Sequence, residues 1–139
     1  MARTRNANPD TVADAIAQLL EMKEGARSEL AAGRRKSAGT LAIACAVRAA
    51  DLICDAALGR HSVASSHTVA LELLASVPGA ENAVENLSLC HTRKSDYNYH
   101  VSDIDDEEVM SVIEAAESLA EECQDRLRDK GWASPAPRR

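Results

Sequence analysis

Residues 37–58 constrain this chain more than any other stretch. Leu41, Ala42, Ile43, Ala44, Ala46, Val47, Ala49, Ala50, Leu52, Ile53, Ala56, Ala57 and Leu58 leave almost no polar side to a helix starting near Ser37 and ending at Gly59. A helix apolar nearly all round has to be enclosed by its neighbours. A membrane does not enclose it, because the run is short and carries Arg48, Asp51 and Asp55. The spacing therefore predicts a central helix in a protein bundle. Its three charges, spaced i, i+3, i+7, share one face and mark where the enclosure is incomplete.

The rest of the composition fits that prediction. A chain of 139 residues is one domain by size. The chain is 45% apolar but holds no Phe, one Trp and two Tyr, so Ala, Leu, Val and Ile must fill the core. Aromatic and β-branched residues, which favour strands, are scarce. The expected fold is all-α, a bundle of about five helices around the long apolar one. Asn8 or Asp10 caps a first helix that has Pro9 in its first turn and the stripe Val12, Ile16, Leu19, Leu20, and Gly33 follows its end. Ser65 or Ser66 starts a third helix, stopped by Pro78-Gly79. A fourth runs from about Ala80 through Leu87 and Cys90 to Tyr97 and weakens at Asn98. Ser102 or Asp103 caps a fifth, whose early acids Asp105 to Glu108 suit a helix N-terminus. Residues 1–8 read as a disordered basic arm, 9–130 as the helical domain and 131–139 as a flexible tail.

Charge and cysteine usage narrow the function. A net charge of −6 excludes a protein that coats nucleic acid through overall basicity. It leaves open a local site, and the run Arg34-Arg35-Lys36 is either a solvated loop or a guide for RNA. Cys45, Cys54, Cys90 and Cys123 contain no C-x-x-C pair, so they read as buried free thiols. Cys90-His91 alone is too little for zinc, and no metal or cofactor is expected. The polar stretch Met1 to Asp10 lacks the apolar run of a secretory signal, which points to the cytoplasm.

The residues best suited to chemistry follow the fourth helix. Arg93 and His100 are seven positions apart, nearly two turns, so a continuous helix puts them on one face with Asp96 and Tyr97. A guanidinium for a phosphate and a neutral imidazole for a proton are the parts that RNA cleavage without a metal requires. Each residue also has a plainer reading. Arg93 serves equally as a cation at a helix C-terminus, His100 as a loop residue and Tyr97 as a packing side chain. Arg48 and Asp51 serve equally as a structural pair holding the central helix in register. Asp55, nearer the helix end, is expected to be more solvated. His67 is expected to pack or cap, and His61 and His91 lack partners at metal spacing.

The stretch from Leu41 to Arg60, then Ser66-His67 ahead of Val69 to Leu74, then Arg93 to Tyr97, resembles a HEPN domain of the small stand-alone bacterial kind. The likeness runs from about Ser37 to Leu127. The resemblance implies a helical bundle that forms a homodimer. It also implies a metal-independent ribonuclease site across the dimer, built on an R-x4–6-H motif that Arg93 and His100 match at its longest spacing. Asp51 corresponds to the polar residue that assists from the central helix. Lys94, Asp96, Tyr97 and Arg48 are then the neighbours placed to hold substrate. Two positions depart from the pattern. Lys94 stands where Asn, Asp or His is usual, and Ser102 stands where some members carry a modifiable Tyr. The expectation is an RNA-cleaving toxin or defence effector, with RNA as substrate, an antitoxin or neighbouring protein as partner, and no membrane. The alternative is a non-catalytic module that binds a nucleotide, RNA or a protein. A plain structural subunit is the third reading.

Overall fold

A computed structural model describes residues 4–63, 67–98 and 104–132, with the backbone alone over 95–98. Five helices carry the fold: α1 (Val12–Ala31), α2 (Arg35–Leu58), α3 (His67–Ala75), α4 (Glu81–Asn98) and α5 (Asp106–Lys130). A 3-10 turn over Pro9–Thr11 leads into α1, with the Asn8 side chain accepting from the Asp10 amide at 3.0 Å. Among the described residues no helix is long and apolar enough to cross a membrane.

The core follows from the small side chains of α2. More than half of this helix is buried, largely as Ala38, Gly39, Ala42, Cys45, Ala46, Ala49, Ala50 and Ala56, with Ile43, Leu52 and Ile53 among them. Short side chains let neighbouring backbones come close, so α2 packs on α1, α4 and α5 together. The larger residues come from those neighbours: Ile16 and Leu19 of α1, Leu87 of α4, and Val109, Val112, Ile113, Leu119 and Leu127 of α5 are all fully buried. Cys45, Cys54, Cys90 and Cys123 are free and buried in the same core. Burial pushes the Cys45 thiol up to about 11 and the other three to about 12, so all four stay protonated.

Local chemistry sets the ends. Three residues join α1 to α2, and Gly33 turns there at φ +82°, donating to the Leu30 carbonyl at 2.9 Å. That brevity makes the two helices antiparallel neighbours. The acid that caps α5 is Asp105, two positions beyond the nearest expected cap; its carboxylate accepts from the Glu108 amide at 2.8 Å. A cap of this kind contributes about 1 kcal/mol. Ser65, Ser66, Ser102 and Asp103, the caps expected from sequence, lie outside the described residues. Across the bundle, Arg27 makes a two-pronged bond to Glu117, both contacts at 2.7 Å, fixing α1 against α5.

One part of the chain differs from expectation. Residues expected to form a disordered basic arm instead include strand β1 (Thr4–Asn6), which pairs antiparallel with β2 (Arg60–Ser62). Arg5 lies opposite His61. The physical reason is at the end of α2. Gly59 turns the chain at φ +77°, and its carbonyl accepts from the Ala7 amide at 2.8 Å, so the exit from α2 offers a strand edge that the N-terminal segment covers. An otherwise helical bundle thereby carries a two-strand ribbon that holds His61 against α2.

If close approach along α2 organises the core, enlarging a small residue should hurt as trimming a large one does. Ile53→Ala is expected to lower stability by about 2–5 kcal/mol, and Ala46→Leu by about 1–3 kcal/mol. Urea unfolding of the three proteins checks this, and a neutral Ala46→Leu would show that the helices do not approach there.

Candidate functional site

The polar face of α2 opens on a cleft of about 400 Å³. Met22 of α1 and Ile43, Ala44 and Val47 of α2 form its apolar part; Thr40, Arg48, Asp51 and, from α4, Lys94 form the polar part. Two cations from different helices and one carboxylate thus line the same cleft. Burial pushes the Asp51 carboxyl up to about 6; His61 and Arg48 pull against this and Asp55 adds to it. Asp51 thereby keeps its proton to a higher pH than an exposed aspartate does and gives it up around pH 6.

Behind Asp51, one helical turn on, lies Asp55. Expected to be solvated, it is instead only 7% exposed. It is buried because the β1–β2 ribbon folds His61 over it, and the His61 Nδ1–H donates to Asp55 Oδ1 at 2.7 Å. Burial raises the Asp55 pKa, while the His61 hydrogen bond opposes the rise. The Asp55–His61 pair is a feature that sequence reading missed. A buried acid at the end of an apolar helix, with a His just past the Gly59 turn, was the available signal.

On the other side, α3 and α4 bring two imidazoles together. His67 stacks on His91 with ring centroids 4.0 Å apart, and Lys94 Nζ donates to His67 Nε2 at 3.2 Å. Burial, with the neighbouring Lys94, lowers the pKa of His67. Burial, His67 and Lys94 push His91 down to about 4. Both rings are neutral at physiological pH, and the Lys94 ammonium is steered by His67. Among the described residues, no group of three or more His, Cys, Asp and Glu is placed to hold a metal ion.

The fold brings together three of the residues expected at a site, Arg48, Asp51 and Lys94. It separates Arg93 from Lys94, its neighbour in sequence. Arg93 Nη1 makes an ion pair of 2.5 Å with Glu108 in the first turn of α5, whereas Lys94 turns to the cleft. Arg48 acts on Asp51 through its charge. Asp96 and Tyr97 lie on α4, but their side chains are outside the described residues, as is His100. The basic run is tied down in part, with Arg34 on Glu29 at 2.8 Å and Arg35 on Asp106 at 2.5 Å.

The fold and site together define a small helical bundle with a partly apolar cleft lined by a carboxylate and two cations. No family model, no curated protein and no solved structure matches the chain.

The raised Asp51 carboxyl has a consequence for stability. Its pKa is about 6 in the fold against an ordinary 3.8, so the folded protein holds its proton more tightly than the unfolded chain. Stability from this group is present below pH 4 and is lost as pH rises through 6. By pH 7 the ionised carboxyl costs on the order of 3 kcal/mol. Asp51→Asn is therefore expected to be more stable than the parent at pH 7 and no more stable at pH 4, as read by thermal melting at both.

Proposed function

We propose that the chain is a HEPN-like, metal-independent endoribonuclease that acts as a homodimer. The observation that carries this reading is the cleft: Arg48 and Lys94, from two helices, line it together with Asp51, whose carboxyl is pushed up to about 6. Cations so placed suit the phosphates of RNA, and a carboxyl that gives up its proton around pH 6 suits proton transfer. The apolar floor of Met22, Ile43 and Val47 offers a surface for a base. The R-x4–6-H resemblance adds the remaining parts. His100 takes the proton of the ribose 2′-hydroxyl, and Arg93 steadies the charge growing on the phosphate. Arg93, held by Glu108, exchanges that carboxylate for the phosphate when RNA binds. The same reading places the protein in the cytoplasm as a toxin or defence effector, with an antitoxin or neighbouring protein as partner.

One observation favours a second reading. Arg93 is already engaged by Glu108, as a structural residue would be. On that basis the chain is a non-catalytic HEPN-like module whose cleft binds a nucleotide, RNA or a protein segment.

Incubation of the purified protein with total RNA in EDTA separates the two. The nuclease reading expects fragments ending in 2′,3′-cyclic phosphates, with His100→Ala and Arg93→Ala each slowing cleavage by about 100-fold or more. A folded parent protein that retains RNA without cutting it would establish the second reading, and cleavage undiminished in His100→Ala would overturn the first.

A further inference from the structure

The ribbon at the end of α2 builds a second group of polar side chains, apart from the Arg/His motif on α4. Residues directly opposite in an antiparallel pair share one face, with Cβ atoms about 5 Å apart. Arg5 of β1 stands opposite His61 of β2 in this way. The Arg5 side chain is exposed, while His61 is held from below. Its Nδ1–H donates to Asp55 Oδ1 at 2.7 Å, and Asp55 is 7% exposed on the packed helix α2. A carboxylate fixed in that way fixes the ring. It also settles which nitrogen carries the proton, because a carboxylate can only accept.

We propose that His61 is a phosphoryl acceptor: its Nε2 takes a phosphoryl group from small donors that carry a good leaving group, with Asp55 holding the ring and Arg5 receiving the phosphoryl oxygens. Fixing Nδ1–H leaves the lone pair on Nε2. That nitrogen reaches solvent, because the His61 side chain is 20% exposed while its Nδ1 edge lies on buried Asp55. With phosphoramidate as donor the step balances without a further reactant. The Nε2 lone pair attacks phosphorus, and the Nε2–P bond forms. The P–N bond of the zwitterionic donor breaks, and ammonia leaves with its electron pair. The ring keeps its Nδ1 proton and becomes cationic. The Asp55 carboxylate, already bonded to that N–H, balances the new charge. A guanidinium keeps its charge and offers several N–H donors, so Arg5 suits the phosphoryl oxygens.

Two comparisons favour a covalent acceptor at this position. Among the described residues, Asp55 is the hydrogen-bond partner of His61, and no hydroxyl or thiol joins them. No side-chain nucleophile therefore stands ready for this ring to activate, and the imidazole is itself the nucleophile. The other two described imidazoles are placed differently. His67 and His91 stack on each other, and Lys94 occupies Nε2 of His67. Among the described residues neither of those rings is bonded to a carboxylate, so neither has the partner that would carry the charge of a phosphorylated ring. Asp51 and Asp55 put negative charge near His61, so a phosphoryl dianion there needs the cation that Arg5 supplies across the ribbon.

The test incubates the full-length chain with phosphoramidate at mildly alkaline pH and follows it by intact mass and peptide mapping. The expected product carries one phosphoryl group, on His61, in a linkage stable to alkali and labile to acid, as an N–P bond is. His61→Gln should abolish it. Asp55→Asn keeps an acceptor for Nδ1–H but removes the charge, and Arg5→Ala removes the cation; each is expected to slow uptake about tenfold or more. Arg5 is exposed, so Arg5→Ala keeps the test decisive if Asp55→Asn folds poorly, and thermal melting reports on both. In urea the preference for His61 over the other histidines should vanish. No uptake, uptake shared equally among the histidines of the folded protein, or uptake at the parent rate in Arg5→Ala or in folded Asp55→Asn overturns the proposal. The nuclease reading stands or falls separately, because this site takes no part in it.

Discussion

The close packing of α2 against three other helices is the constraint on which everything else rests. Ala38, Ala42, Cys45, Ala46 and Ala49 are at most 1% exposed, and none has a side chain long enough to hold a neighbour at a distance. The bulk of the core is therefore delegated to Ile16, Leu19, Leu87, Ile113 and Leu119 on the surrounding helices. This division of labour explains how a chain without a single Phe packs a core at all. It also means that anything polar on α2 is drawn towards the interior. Arg48 and Asp51 lie along a strip of the helix that its neighbours leave partly open, and Asp55, one turn on, is buried.

Placing acids along α2 has a cost, and the fold meets it differently at each position. Asp55 is answered by a partner. The chain turns at Gly59, the ribbon closes, and His61 bonds the buried carboxylate directly. Asp51 is answered only in part, by the charges of His61 and Arg48, and burial prevails over both. Its carboxyl therefore stays raised, at the mouth of a cleft where Lys94 also ends. A group that weakens the fold at neutral pH, in a cleft that two cations also line, is a candidate for function.

Much of this architecture was legible in the sequence because it depends on local signals. The apolar run and Gly59 bounded α2 closely, and Gly33 and Pro78-Gly79 marked other helix ends. Three things depended on contacts distant in sequence and were not legible. The N-terminal ribbon forms because residues 4–6 meet 60–62 across the length of two helices. Asp55 is buried only because of that ribbon, so its place near the end of α2 suggested solvent instead. Arg93 and Lys94 are neighbours on α4, but the position of α5 decides that one meets Glu108 while the other turns to the cleft. Periodicity gives the face of a helix; it does not say which neighbour that face will find.

Packing around α2 raises the pKa of Asp51 at the cleft through burial. Carbon-detected NMR of the aspartate carboxyls, followed through a pH titration and assigned with Asp51→Asn, measures this directly. The account predicts a midpoint near 6 for Asp51. A midpoint at the ordinary 3.8 would mean that the carboxyl is freely hydrated and that the cleft does not tune it.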